Sequence, residues 1–598
     1  MTRKRSWVPA ALRSAFLLIL LAGLLSPAGA GPPPAPATMP GQPTTLHFYG
    51  INGYFSGYER STAEVNTLLP FGPAAGLFWT REEFVWANIE YDEDTYHFDF
   101  PDDRVWRMAN AGYGIIGMLL TTPTWARKPS CAGNYWCPPR NPQDYYDFVR
   151  DTVERYDGDG YADAPGSPRV AYWEIWNEPN HPGTWPGTPA EYAALLKAGY
   201  AAVKAADPTA QVLVGSVYVF DGISGGAPAY DGLVFLTSVL AADPTAWYAF
   251  DVLGIHPYMP DVAPDQPGLM ENVTMPARMQ HALDWVAAHG GGKPVWVTEV
   301  GWSTCTAGQG DCTPALSKTE VQQADYLLRT MAMGYAMGLP HVNIFQLEDK
   351  FDGSQSKVWG GCAIIQPAAQ NYAPKLAYHA TAIMVQQLSG ASYVGVGPLH
   401  GLQWEEAGMQ RRLSAYSRFD YRFRTADGTY IDILWRPDEQ DETVAFPVGD
   451  GRTVTWVERD GQEHPLVPSE GYVYFTINGH PGYLRQVPLP LLHVSTGSVG
   501  FLAVPGQLPG SKSLYVTNAG GGTLTWTAML IAGDAWFDAT PLSGTAPSTI
   551  TITAAVPPTT GLFTGTLWID AGSAGQQEVS LWMRAVPGLE RVYLPLIP

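Results

Sequence analysis

YWEIWNEPN (Tyr172–Asn180) is an apolar run that breaks off in Asn177-Glu178-Pro179. Val170–Trp176 has the β-branched and aromatic texture of a strand. Proline cannot continue a strand ladder, so Glu178 is expected at the strand's C-terminal end. Seven further apolar runs lie on either side. Leu46–Tyr54, Ala75–Trp79 and Gly114–Leu120 precede it, and Val212–Val219, Val252–His256, Val295–Val300 and Val342–Leu347 follow. Helix-like segments separate them, such as Asn141–Tyr156, where Asn141 is a plausible N-cap ahead of Tyr145, Phe148, Val149 and Val153. Eight βα units across residues 45–390 predict a closed (β/α)8 TIM barrel, a fold that presents its functional groups at the C-terminal ends of its strands. The rival is an open doubly wound sheet. It would advertise a glycine-rich phosphate turn after its first strand, and none is found there.

The second informative string is PVWVTEVGW (Pro294–Trp302), which ends the seventh run and puts Glu299 on the same rim as Glu178. Two carboxylates on one rim could flank a glycosidic bond. One must be protonated to assist the leaving oxygen, and the other ionised to attack the anomeric carbon.

The Asn-Glu-Pro string on strand four and the Thr-Glu-x-Gly-Trp string on strand seven resemble those of clan A glycoside hydrolases. The resemblance covers residues 45–390 and implies a retaining β-glycosidase with Glu178 as acid/base and Glu299 as nucleophile. Glu174-Ile-Trp-Asn-Glu-Pro-Asn180 is similar to the strand-four signature of family 39, although Ala171 and Trp173 stand where that family usually has Trp and Phe. Family 5 is the close rival. By position, the resemblance gives Asn177 to the sugar 2-hydroxyl. It places Arg81, read as the end of the second strand, beside the nucleophile to help keep it ionised. In His256-Pro-Tyr258, Tyr258 would hydrogen-bond the nucleophile and His256 would contact sugar. Glu174 reads as a barrel-interior carboxylate paired with Arg81. Strand eight lacks the clan's terminal Trp, so Phe345 or Gln346 must serve, with Trp359 supplying an aromatic face from the loop. Trp125, Trp136, Trp185 and Trp302 fall in rim loops, where they either stack on sugar or fill loop core. A transglycosylase would use the same residues. The non-enzyme alternative is a carbohydrate-binding barrel that has lost catalysis, against which Glu178, Glu299 and Asn177 all stand.

The rest of the chain agrees with an exported, multidomain protein. Residues 1–30 read as a signal peptide: Arg3, Lys4 and Arg5, then the apolar Ala15–Leu25, then Ala28-Gly29-Ala30 as a cleavage site near Ala30. An uncleaved membrane anchor is the alternative. Residues 31–44 form a Pro-rich linker. No later stretch is long and apolar enough to span a membrane. After Gly390, short β-like runs between Asp-Gly turns predict a small β domain over 391–489 and an Ig-like β-sandwich over 490–588, leaving an apolar tail over 589–598. Trp526, Trp536, Trp568 and Trp582 of the sandwich either bind polysaccharide or fill its core, and a spacer role is favoured. With 598 residues, 46% of them hydrophobic, the chain has material for about three domains. A net charge of −21 argues against a nucleic-acid partner and, less strongly, against a polyanionic substrate; a neutral carbohydrate fits. The five cysteines have no zinc-type spacing, so neither a metal nor another cofactor is expected. Their spacing favours Cys131–Cys137 and Cys305–Cys312 bridges with Cys362 free, as export permits; reduced thiols are the alternative.

Overall fold

Eight parallel strands close on themselves in the computed structural model, which describes residues 48–219, 231–268, 273–350, 357–407 and 410–588. The expected signal peptide, linker and apolar tail lie outside the described residues. The barrel strands are β1 (Tyr49–Ile51), β2 (Trp79–Val85), β3 (Gly114–Leu120), β4 (Tyr172–Asn177), β5 (Gln211–Tyr218), β6 (Val252–His256), β7 (Val295–Val300) and β8 (Val342–Ile344). β1 closes the ring, pairing Ile51 with Thr80 of β2 and Gly50 with Asn343 of β8.

Seven runs contain or overlap their strands, but the second is displaced. Ala75–Trp79 was expected and Trp79–Val85 is observed, so Arg81 lies inside β2 and not at its end. The cause is physical. Residues 80–83 are Thr-Arg-Glu-Glu, of which Arg81 and Glu82 bond to polar groups inside the protein, and a strand so filled lacks an apolar signature. β8 is also shorter than its run and ends at Ile344.

The barrel interior is graded. Trp79, Ile116, Leu213, Val252 and Trp296 form an apolar layer, each packed side chain contributing on the order of 1.5–3 kcal/mol. Polar groups begin with Arg81 and Glu174, both fully buried. Ser216 stands beside Gly254, where a Cβ would come within 2.1 Å of its Oγ, so β6 needs glycine to lie this close to β5. Helices sheathe the ring. Helix Pro142–Arg155 starts as expected: Asn141 accepts from the Gln143 amide at 3.1 Å, Pro142 fills the first turn, and Tyr145, Phe148, Val149 and Val153 are buried. Helix Pro189–Ala206 opens with a Thr188/Glu191 capping box.

Beyond the barrel the chain is β-rich. One sheet contains strands Gly401–Ala407, Gln410–Thr425, Tyr430–Trp435, Gly482–Pro488, Arg452–Val457 and Glu463–Leu466 in that order, and Glu442–Pro447 pairs with Tyr472–Ile477. Phe419, Phe423, Ile431, Ile433, Trp435 and Tyr483 from this region share one apolar core with the barrel. Polar contacts fix the join. Buried Arg329 donates to Asp265 at 3.1 Å, and the Trp435 indole donates to the same carboxylate at 2.7 Å. Asp265 lies in the loop that follows β6. A four-stranded and a five-stranded sheet then form a sandwich with a separate core. Trp526 is buried in that core and donates to Ser548 Oγ at 2.8 Å, whereas Trp582 is on the outer face, 42% exposed. This is the fold class expected: a TIM barrel followed by β-rich modules. Among the described residues, no helix is long and apolar enough to cross a membrane.

Candidate active site

Arg81 organises the C-terminal mouth of the barrel. Its Nε and Nη2 donate to the two oxygens of Glu174, at 2.6 and 2.9 Å. The same guanidinium reaches Glu299 Oε1 at 2.6 Å and Asn177 Oδ1 at 2.8 Å. Glu174 therefore balances the cation from below, as the sequence suggests, and its Oε1 also accepts the Ser216 amide at 2.8 Å. Burial alone would lower the Arg81 pKa. The Glu174 charge and hydrogen bonds, then Glu299, raise it well above the usual guanidinium range.

Glu299 ends β7 with little exposure, and each of its oxygens has a donor. Arg81 holds Oε1 and the Tyr258 hydroxyl holds Oε2 at 2.8 Å. Tyr258 is buried against the carboxylate, and burial followed by the Glu299 charge pushes its phenol well above its ordinary pKa. The loop carrying Tyr258 is itself pinned. The Tyr258 carbonyl accepts from the Tyr218 hydroxyl at 3.0 Å and from Arg278.

Glu178 follows β4 immediately. The chain turns sharply there, with Trp176 at φ 76° and Glu178 at φ 44°, left-handed values that non-glycine residues adopt at a cost of about 1–3 kcal/mol each. The Glu178 amide donates to the Ser216 carbonyl and its own carbonyl accepts from Thr184 Oγ1, which hold the kink. The kink presents Asn177 and Glu178 together at the mouth. Asn177 turns its oxygen to Arg81, leaving its amide N–H groups as donors.

His256, at the end of β6, is fully buried and joins the two glutamates. Its Nδ1 is 2.7 Å from Glu178 Oε1 and its Nε2 is 3.7 Å from Glu299 Oε1. One atom from each of the three residues forms a set within 4.8 Å. Burial raises the Glu178 pKa, but the His256 hydrogen bond and charge, then His181 and Arg81, bring it below the usual carboxylate range. His256 thus lies against both carboxyl groups.

The aromatic residues divide. Trp359 is half-buried beside Tyr258, ring centroids 4.8 Å apart, with Phe345 edge-on to both. Trp302 is fully buried, its indole N–H shared between the Met259 and Val262 carbonyls at 2.9 Å each, so it supports the β6 loop from within. Trp125 is half-buried, donates to the Glu90 carbonyl at 2.9 Å and meets Trp86 edge-on. Trp185 is buried, and Trp136 is half-buried against Trp176. Sequence reading missed Tyr54, which lies at the end of the first apolar run, packs edge-on to Phe345 and feels the Glu299 charge. Both predicted disulfides are formed, Cys131–Cys137 in the loop after β3 and Cys305–Cys312 in the loop after β7, with Cys362 free and buried.

Among the described residues, two groups have spacing that could hold a cation: Glu178, His256 and Glu299, and a loop trio of Asp157, Asp159 and Asp163. In the first, Arg81 and Tyr258 already occupy both oxygens of Glu299, and the Arg81 charge opposes a second cation.

Comparison with known proteins agrees with this geometry. The model of the cellulase family, glycosyl hydrolase family 5, matches residues 130–337, a span that contains Glu178, His256, Tyr258 and Glu299. Among solved structures, the chain is similar to a family 39 glycoside hydrolase from Bacteroides cellulosilyticus WH2, at 19% identity and a TM-score of 0.55, over 73% of this chain and 80% of that one. It is also similar to a glucosidase from Croceicoccus marinus, at 15% identity and a TM-score of 0.50, over 74% of this chain and 95% of that one. No curated protein matches the chain. At these identities the solved structures speak for the fold, and the family model, over the barrel segment that holds these residues, is that of a glycosidase.

Proposed function

We propose that this protein is a retaining β-glycosidase that cleaves a plant-type oligo- or polysaccharide by double displacement. Glu299 is the nucleophile and Glu178 the acid/base. The observation that carries this reading is the spacing of the two carboxylates, whose nearest oxygens lie within 4.8 Å. A retaining site needs its carboxyl groups roughly 5–5.5 Å apart, so that one can attack the anomeric carbon directly. An inverting site leaves about 6.5–9.5 Å for a water. In the first step Glu299 attacks the anomeric carbon while Glu178 gives its proton to the departing oxygen. In the second, Glu178 takes a proton from water as that water displaces Glu299. Arg81 and Tyr258 orient the nucleophile. Asn177, whose oxygen is committed to Arg81, is left with N–H donors for the sugar 2-hydroxyl. Trp359 offers an aromatic face beside the site, and Trp125 a second one in the β3 loop.

A neutral substrate fits the acidic chain. The cellulase name of the matching family model and the glucosidase among the similar structures favour a β-linked glucan, with xylosidase-, glucanase- and mannanase-like activities in the same chemical class. The two rim disulfides and the N-terminal string favour export, with the β modules as appended, spacer-like domains. The test is turnover of a panel of aryl β-glycosides and soluble β-glucans, xylans and mannans, with the anomer of the first-formed product read by NMR. A β-product supports the reading, and an α-product would make the enzyme inverting.

A further inference from the structure

β2 carries consecutive glutamates in contrasting settings. Glu82 has both oxygens satisfied, Oε1 by the Thr80 hydroxyl at 2.5 Å and Oε2 by the Ser56 amide and hydroxyl at 2.8 and 2.7 Å. Glu83 is half-buried, and among the described residues its carboxyl has no hydrogen-bond or ion-pair partner. Strand alternation puts Glu83 on the same face as Arg81, one pleat nearer the mouth of the barrel. Arg81 touches Glu299. Glu83 thus projects beside the sugar-cleaving centre, near enough to Tyr54 and Arg81 for the charges to interact.

Its surroundings come from the ends of three strands. Tyr54 follows β1, and its phenol is raised by burial and then by the Glu299 and Glu83 charges. Lys350, beyond β8, has its Nζ 4.5 Å from the Tyr54 ring centroid and 3.0 Å from Glu59. Burial pushes the Glu83 carboxyl up to about 7, with Lys350 and Arg81 pulling the other way. A half-buried carboxyl without a protein partner keeps only part of its hydration. A ligand that brings hydroxyl groups to it supplies donors, and a carboxyl has two oxygens with which to meet adjacent hydroxyls.

We propose that Glu83 binds ring hydroxyls, other than the 2-hydroxyl, of the sugar whose anomeric carbon faces Glu299, and thereby helps to select that sugar. This rests on the glycosidase reading. It makes Glu83 a substrate-binding residue that discriminates among sugars by the position of a hydroxyl. A site built around such a hydroxyl rejects the sugar lacking it, because the buried polar group is then left unpaired.

The experiment crosses Glu83→Gln and Glu83→Ala with a series of 4-nitrophenyl β-glycosides, each missing one hydroxyl of the parent sugar. Thermal unfolding of each variant monitors folding. In the wild type, loss of the hydroxyl held by Glu83 should lower kcat/KM by about 10- to 100-fold, the worth of a hydrogen bond to a charged group. In Glu83→Ala the same deletion should cost less than about threefold, because the partner is already gone. The 2-deoxy penalty, expected from Asn177, should persist in the variant. If the effects of variant and deletion simply multiply at every ring position, Glu83 does not bind the sugar, although the enzyme remains a glycosidase. If the wild type turns over none of the parent glycosides or polysaccharides, the glycosidase reading itself fails and the assignment of Glu83 fails with it.

Discussion

His256 Nδ1 lies 2.7 Å from Glu178 Oε1, so the carboxyl at the end of β4 is tied to an imidazole at the end of β6. This contact decides the proton economy of the site. Burial raises the Glu178 pKa, and the hydrogen bond and charge of His256 more than offset it, leaving Glu178 below the usual carboxylate range. The first chemical step needs the protonated form, so kcat/KM should fall as pH rises through that depressed pKa, placing the alkaline limb at acidic pH. His256→Ala removes the largest lowering influence and leaves burial, so the alkaline limb should move to higher pH while kcat falls. A pH profile of kcat/KM for both enzymes is the check. A limb that stays in place or moves to lower pH contradicts the contact's proposed role.

Arg81 and Glu174 form a fully buried pair beneath Glu299. Arg81→Met would leave the Glu174 charge alone in the barrel and should destabilise the fold by about 3–5 kcal/mol. Adding Glu174→Gln removes that charge, so much of the stability should return. Activity should not return, because Glu299 and Asn177 still lack their shared donor. Chemical denaturation and turnover of the two variants separate these effects. Recovery of activity in the double variant would mean that Arg81 serves the fold alone.

The five cysteines should behave as two bridges and one inaccessible thiol. Burial pushes the Cys362 thiol up, which makes it a poor nucleophile, and the surrounding Tyr258 and Phe345 exclude reagents. Iodoacetamide should label nothing in the folded protein, Cys362 alone after unfolding without reductant, and all five after reduction. Each bridge closes a short loop and is worth at most about 2–3 kcal/mol. Peptide mapping that finds Cys362 bridged to Cys305 or Cys312 would contradict this pairing.

The strings around Glu178 and Glu299 were legible because strand texture, an abrupt stop and a carboxylate coincide in a few residues. Helix Pro142–Arg155 was legible for a similar reason: cap, proline and apolar spacing agree. β2 was misplaced because Arg81 and Glu82 are charged residues held by polar partners inside the protein, and sequence alone cannot distinguish an inward-facing charge from a loop charge. Glu83 was passed over because its charge, too, reads as that of a loop. His256 was found, but not its direction, since a histidine at a strand end points to sugar or to a carboxylate according to packing that spacing does not encode. Trp302 and Trp359 read alike as rim tryptophans. Only the fold separates the one that supports the β6 loop from the one beside Tyr258.

The central claim is the division of labour between Glu178 and Glu299, and azide rescue tests it most directly. With an activated dinitrophenyl glycoside, Glu178→Ala should still form the glycosyl-enzyme, because the leaving group needs no proton. It should then stall, and azide, which needs no base, should release a β-glycosyl azide. On natural substrate the same variant should be slower by about 10²–10⁴-fold. Glu299→Ala cannot form the intermediate, so azide should enter from the vacated face and give an α-glycosyl azide. NMR of the two products should therefore show opposite anomers. Swapped anomers would reverse the two roles, and wild-type turnover of natural substrate by both variants would put the active site elsewhere.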